Sequence, residues 1–267
     1  MCIVCSYFPI IHIHITLFLL LGIVYLLTLK VQLFIPCFID QLKPSIAFDM
    51  IKVLERVGVE VDYNPNQTCC GQPGYNAGYW DEAKSVGQKF LKEFDGENYI
   101  VTPSASCTGM VRSGYSHLFH NTASHNACRN VQKNIFELSE FLIDVLKIDD
   151  VGATFKTKAT YHDSCSALRE CNIHSQPRQL LSKVKGLELV ELKDNTVCCG
   201  FGGTFAVKFE PISVAMGEQK INNAVDTGAE ILISSDYSCL LHLEAYAKKH
   251  NSPIQCMHIA EVLAMQV

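Results

Sequence analysis

Twice in this chain a lone cysteine is followed some thirty residues later by a Cys-Cys-Gly triplet, and the triplet is followed by one more cysteine about forty residues on. The first set is Cys37, Cys69, Cys70 and Cys107; the second is Cys165, Cys198, Cys199 and Cys239. Equivalent cysteines lie 128, 129, 129 and 132 positions apart. So regular an offset marks an internal duplication, and the chain is expected to fold as two like units. The expected division is residues 1–30 as a hydrophobic leader, 31–150 as the first repeat and 151–267 as the second.

The segments around the cysteines repeat as well. VQLFIPC (31–37) and ATYHDSC (159–165) each read as a strand running into a cysteine. Apolar spacing of three and four then predicts helices over 46–57 and 178–184. VEVDYNPNQTCCG (59–71) answers LELVELKDNTVCCG (187–200), a strand followed by a polar turn into the triplet. Helices over 81–94 and 212–226 come next, then YIVTPSASC (99–107) and ILISSDYSC (231–239), a third strand ending at a cysteine. The stretches 136–146 and 256–265 close each half. Strands alternating with helices predict an α/β fold of two tandem, pseudo-symmetric repeats with mainly parallel sheets. In such folds ligands gather beyond the C-terminal strand ends, where all the repeated cysteines are expected.

Thirteen cysteines, an odd number with two vicinal pairs, do not suit an oxidised secreted protein. Neighbouring cysteines rarely bridge each other, and a reducing, cytoplasmic setting with metal ligation fits better. Thiolates are soft donors that select iron–sulfur clusters, zinc or copper(I), and four brought together without a cation would repel one another. Cys128, Cys171 and Cys256 have no equivalent in the other half and read as small apolar packing residues. Cys2 and Cys5 form a Cys-x-x-Cys with no second pair beside it, too little for a metal site. With 22 basic against 27 acidic side chains and a net charge of −5, the chain lacks the basic balance that nucleic-acid binding requires. At 48% apolar residues it is also no disordered segment.

Residues 10–29 carry no formal charge, a length sufficient to cross a hydrocarbon core. Two readings stand side by side. One is a membrane anchor with Lys30 as its flank, interrupted by His12 and His14; the other is a stretch foreign to the native chain, which would then begin near Lys30. Membrane association is expected only under the first.

The phrases FIPCFIDQLKP, TCCGQPGYNAG, PSASCTGMV, YHDSCSALRE, CCGFGGTFAVKF and ISSDYSCLLHL, in this order over residues 31–267, resemble the cysteine-rich CCG domain family. That family includes the heterodisulfide reductase B subunit and iron–sulfur subunits of glycolate and lactate oxidation, and the phrases look most like its lactate-utilisation members. The resemblance implies an iron–sulfur (4Fe-4S) electron-transfer subunit of a complex oxidising L-lactate, a small hydroxy acid, to pyruvate. It also implies two partners, a ferredoxin-like iron–sulfur subunit and a third small subunit. Cys37, Cys69, Cys70 and Cys107 would hold one site and Cys165, Cys198, Cys199 and Cys239 the other. A heterodisulfide-reductase-like or glycolate-oxidase-like subunit is the neighbouring reading. A zinc-stabilised, non-enzymatic scaffold is the reading from another class.

The fullest family motif ends in Cys-x-x-Cys and is associated with a non-cubane cluster. Here Ser104 and Asp236 occupy the first position of that pair, as extra oxygen ligands or, the commoner role at such a position, as caps of the next helix. A conventional 4Fe-4S cluster, a non-cubane variant, or zinc in one half all remain open. His162, three residues before Cys165, reads as an ordinary hydrogen-bonding histidine rather than a ligand. Arg169 and Lys208 read as solvated charges that could alternatively meet a substrate carboxylate. Gly200-Phe201-Gly202-Gly203 is no dinucleotide fingerprint, since cysteines occupy its turn.

Overall fold

The computed structural model describes residues 29–267. The leader, with Cys2, Cys5 and the choice between anchor and foreign stretch, lies outside the described residues.

Each repeat builds one four-stranded, all-parallel sheet. In the first, β1 (Lys30–Leu33), β2 (Glu60–Tyr63), β3 (Tyr99–Thr102) and β4 (Ile135–Glu137) lie in the order β2-β1-β3-β4. In the second, β5 (Thr154–Tyr161), β6 (Lys185–Val190), β7 (Ile231–Ser234) and β8 (Gln255–His258) lie in the order β6-β5-β7-β8. Parallel strands need crossovers, and the amphipathic helices supply them: Ser45–Arg56 and Trp80–Glu93 in one half, Ser175–Lys183 and Glu210–Asp226 in the other. The inner strand β7, Ile-Leu-Ile-Ser, is buried throughout, as a parallel strand covered on both faces must be. The edge strand β2, Glu-Val-Asp-Tyr, is largely exposed and short, and its charges discourage pairing with another chain.

One sequence expectation is corrected, and one pair of strands is added to the sequence reading. The first strands stop before their cysteines: β1 ends at Leu33 and β5 at Tyr161, while Cys37 and Cys165 open the helices Cys37–Leu42 and Cys165–Glu170. Pro36 and Ser164 stand at the caps of these helices, and the Ser164 side chain accepts from the Ala167 amide. Secondly, the stretches closing each half begin with a fourth strand. β4 and β8 are too short to show an alternating pattern, and each ends on a polar residue that caps the following helix. The Glu137 carboxylate accepts from the amides of Ser139 and Glu140, and His258 Nδ1 accepts from Ala260 N while Glu261 completes a capping box.

The halves embrace reciprocally. The last helix of the second half, Ile259–Ala264, packs on Ser45–Arg56 of the first; the last turns of the first half, Leu138–Glu140 and the π-turn Phe141–Val145, pack on Ser175–Lys183 of the second. One apolar core runs through both layers, from Val31, Leu33 and Met50 to Leu180, Leu232 and Leu263. Arg56 pins the seam, donating to the carbonyls of Val151, Leu263 and Ala264 at 3.2, 3.0 and 2.8 Å. A Lys43–Glu261 ion pair at 2.9 Å lies beside it.

Candidate metal centre

In both sheets the chain leaves the first strand in opposite directions, towards β2 on one side and β3 on the other, and likewise from β5 towards β6 and β7. A crevice forms at such a switch point, outside the C-terminal strand ends. Cys37 follows β1, the triplet Cys69-Cys70-Gly71 follows β2 and Cys107 follows β3, with the same placement in the second half. The Ser104–Asp236 bridge joins the halves at this point. All eight cysteines line one open cleft. Two sites expected from the duplication thus face one another across one space.

The thiols are close enough to share a centre. Cys37 Sγ lies 3.7 Å from Cys69 Sγ, and Cys70 Sγ lies 3.4 Å from Cys107 Sγ. In each set two cysteines are half-buried and two are buried, and none is bridged among the described residues. Positive φ at Gly71 (85°) and Gly200 (97°) lets the chain turn back so that these amides donate to Cys69 Sγ at 3.3 Å and Cys198 Sγ at 3.4 Å. In the first half the Tyr115 hydroxyl supports the turn from behind, donating to the Cys70 carbonyl at 3.0 Å.

One thiol of each set is drawn towards the anion. Hydrogen bonds from Cys37 and then Cys70, with the Gly71 amide, bring Cys69 down to about 3. Bonds from Cys165 and then Cys199 bring Cys198 down to about 2. The neighbours move the other way. Cys37, Cys165 and Cys199 are raised first by those same thiol–thiol bonds and Cys70 first by its bond to Cys107, with burial adding to each. Cys239 is also raised, by burial working against its bond to Cys199. Thiols held this close repel one another as thiolates and become a tetrathiolate around a cation.

Ser104 and Asp236 act as helix caps. Ser104 Oγ accepts from Cys107 N at 3.4 Å; Asp236 Oδ1 accepts from Ser238 N at 3.2 Å, and Oδ2 accepts from Ser106 N of the opposite half at 2.8 Å. The two residues also pair as an isolated antiparallel bridge, so they tie the halves together at the cleft. Arg169 and Lys208 are exposed and do not line the cleft. Cys128, Cys171 and Cys256 sit in apolar clusters, where burial pushes their thiols up to about 11, 12 and 12.

His162 lies beside the second cysteine set. It is wholly buried, and one of its ring nitrogens groups with the sulfurs of Cys199 and Cys239. Burial, reinforced by the Lys220 charge, lowers its pKa to about 3 against the pull of Cys198 and the Asn195 backbone. Its signal in the sequence was its place before Cys165, but a lone histidine at a strand end has many ordinary uses.

The family model of the cysteine-rich CCG domain matches the chain twice, over residues 31–112 and 159–244. Lactate utilization protein A of Geobacillus kaustophilus is 44% identical over 236 residues, 88% of this chain and 98% of that one. The protein of the same name from Bacillus subtilis is 41% identical over 236 residues, 88% of this chain and 99% of that one. Among solved structures, a hypothetical protein from Helicobacter pylori superposes with a TM-score of 0.51 at 12% identity, over 88% of this chain and 48% of that one. The chain spans about half the length of that protein, and the likeness is one of fold alone.

Proposed function

Because this chain belongs to the cysteine-rich CCG domain family, and its relatives named for lactate utilisation match it over 88% of its length, we propose that it is the iron–sulfur subunit of a complex that oxidises L-lactate to pyruvate. The observation that carries the reading is the convergence of eight repeated cysteines on one cleft at two facing switch points. The donor set fits the group: four soft sulfur donors per half, paired at 3.4 to 3.7 Å in the first set, with charges that require a cation. Cys37, Cys69, Cys70 and Cys107 would hold one centre and Cys165, Cys198, Cys199 and Cys239 the other. When bound, such clusters supply one-electron transfer, tuned by hydrogen bonds to sulfur and by burial. The chain itself contributes the Gly71 and Gly200 amides to sulfur and a cleft that shields the inner thiols from water.

In this reading the protein works in the cytoplasm with a ferredoxin-like iron–sulfur subunit and a third small subunit, and the hydroxy acid's first electrons are taken by a cofactor outside this chain. A strain lacking the gene should fail to grow on L-lactate and grow normally on pyruvate. The purified chain should oxidise lactate only after its partners are added. Lactate turnover by the isolated chain, or unimpaired growth of the deletion strain with no second lactate dehydrogenase present, contradicts the assignment.

A further inference from the structure

The duplication makes residues 34 and 162 equivalent, three positions before Cys37 and Cys165, yet one is phenylalanine and the other histidine. Phe34 is wholly buried and meets Phe90 edge-on, with ring centroids 4.8 Å apart. His162 is equally buried, at 0% exposure. A polar ring buried there carries a desolvation cost that the apolar ring of the first half avoids. A buried imidazole in this position calls for a ligand that offsets that cost.

The geometry supplies one. A ring nitrogen of His162, Cys199 Sγ and Cys239 Sγ all lie within 4.8 Å of one another, and all three residues are buried. The ring is held there by its backbone. His162 N donates to Ile233 O at 2.8 Å, and Ser234 Oγ donates to His162 O at 2.9 Å. The next residue, Asp163, accepts a bidentate bond from Arg178, both contacts 2.8 Å. The side chain is thereby left facing the inner sulfur pair, with one ring nitrogen within reach of both sulfurs.

We infer that His162 supplies a nitrogen ligand to the metal group held by the second cysteine set, giving that site a mixed sulfur–nitrogen shell that the first site lacks. The inference rests on the metal-binding reading above. It makes the facing sites chemically unequal: a neutral imidazole adds no negative charge, so the second centre accepts an electron more readily than an all-sulfur equivalent.

The test uses the full chain carrying Cys70→Ser and Cys107→Ser, which leaves the second site alone, purified anaerobically. Iron, zinc and acid-labile sulfide per chain are measured together with the visible absorption and circular dichroism spectra. His162→Phe, the residue of the first half, should lower the bound metal several-fold. His162→Cys should restore the metal but shift the sulfur-to-metal charge-transfer bands. Unchanged metal and unchanged spectra in both variants would overturn the inference. If His162→Phe fails to fold by far-ultraviolet circular dichroism, the His162→Cys spectrum decides alone: a shift supports the ligand and an unaltered spectrum refutes it. Absence of metal from the second site before any change at His162, with metal also absent from the unsubstituted chain, would instead refute the metal-binding reading itself.

Discussion

At the scale of single residues, charge and burial divide the work. Cys69 and Cys198 are drawn towards the anion, while Cys37, Cys70, Cys165, Cys199 and Cys239 are pushed towards the neutral thiol. The cysteines were legible from spacing alone, since eight positions repeated in register leave little room for chance. His162 was not, because its significance lies in a buried ring brought beside Cys199 and Cys239, which no sequence pattern displays. Glu137 was equally invisible. Burial pushes its carboxyl from 4.5 up to about 7, although bonds from Ser139 and Glu140 oppose the shift. A folded state that holds this proton more tightly than the unfolded chain gains stability at low pH. The gain is complete below pH 4.5 and is lost as pH rises through 7, about 3 kcal/mol in all. Glu137→Gln keeps the capping oxygen without the charge. Urea unfolding at pH 5 and pH 8 should therefore show a smaller stability difference in the variant than in the parent, and equal differences would contradict this account. Asp236→Ala removes both the cap of Tyr237–Lys249 and the bond to Ser106 N, and should cost about 2–3 kcal/mol in the same assay, with Asp236→Asn recovering part of it.

At the scale of elements, the crossover helices were readable because their apolar spacing is long and regular, and the inner strands because they are β-branched and apolar. β4 and β8 escaped because three or four residues cannot establish a period. The triplet turns carry their own requirement. A Cβ at Gly200 would stand 2.6 Å from Ser213 O and 2.9 Å from Met216 Cβ, on a backbone with φ of 97°. At Gly71 the nearest atom, Ala83 O, would be 3.1 Å away. Both positions need the left-handed conformation, but only the second half has the chain so tightly against it. Gly71→Ala should cost about 1–3 kcal/mol of strain, and Gly200→Ala clearly more. Thermal unfolding of the two variants checks the order; a smaller loss for Gly200→Ala would mean that the helix Glu210–Asp226 yields easily.

At the scale of the molecule, the reciprocal packing of the halves is what makes one cleft out of two crevices. The duplication announced two like units, but it could not say that they face each other, because that depends on contacts such as Arg56 with Val151, Leu263 and Ala264, which lie 95, 207 and 208 positions away. Arg56→Ala leaves those carbonyls to solvent or unpaired and should destabilise the protein by about 2–3 kcal/mol, with faster amide exchange along Ile259–Ala264; unchanged exchange there would show that the seam is held by apolar packing alone. The central claim is that each cysteine set holds an iron–sulfur centre in the shared cleft. Iron and acid-labile sulfide analysis of the anaerobically purified chain, beside its Cys70→Ser and Cys199→Ser variants, tests it most directly. The account predicts a brown protein that loses about half of its iron and sulfide with either substitution and nearly all of it with both. A colourless protein containing only zinc, or iron and sulfide contents that neither substitution lowers, would contradict it.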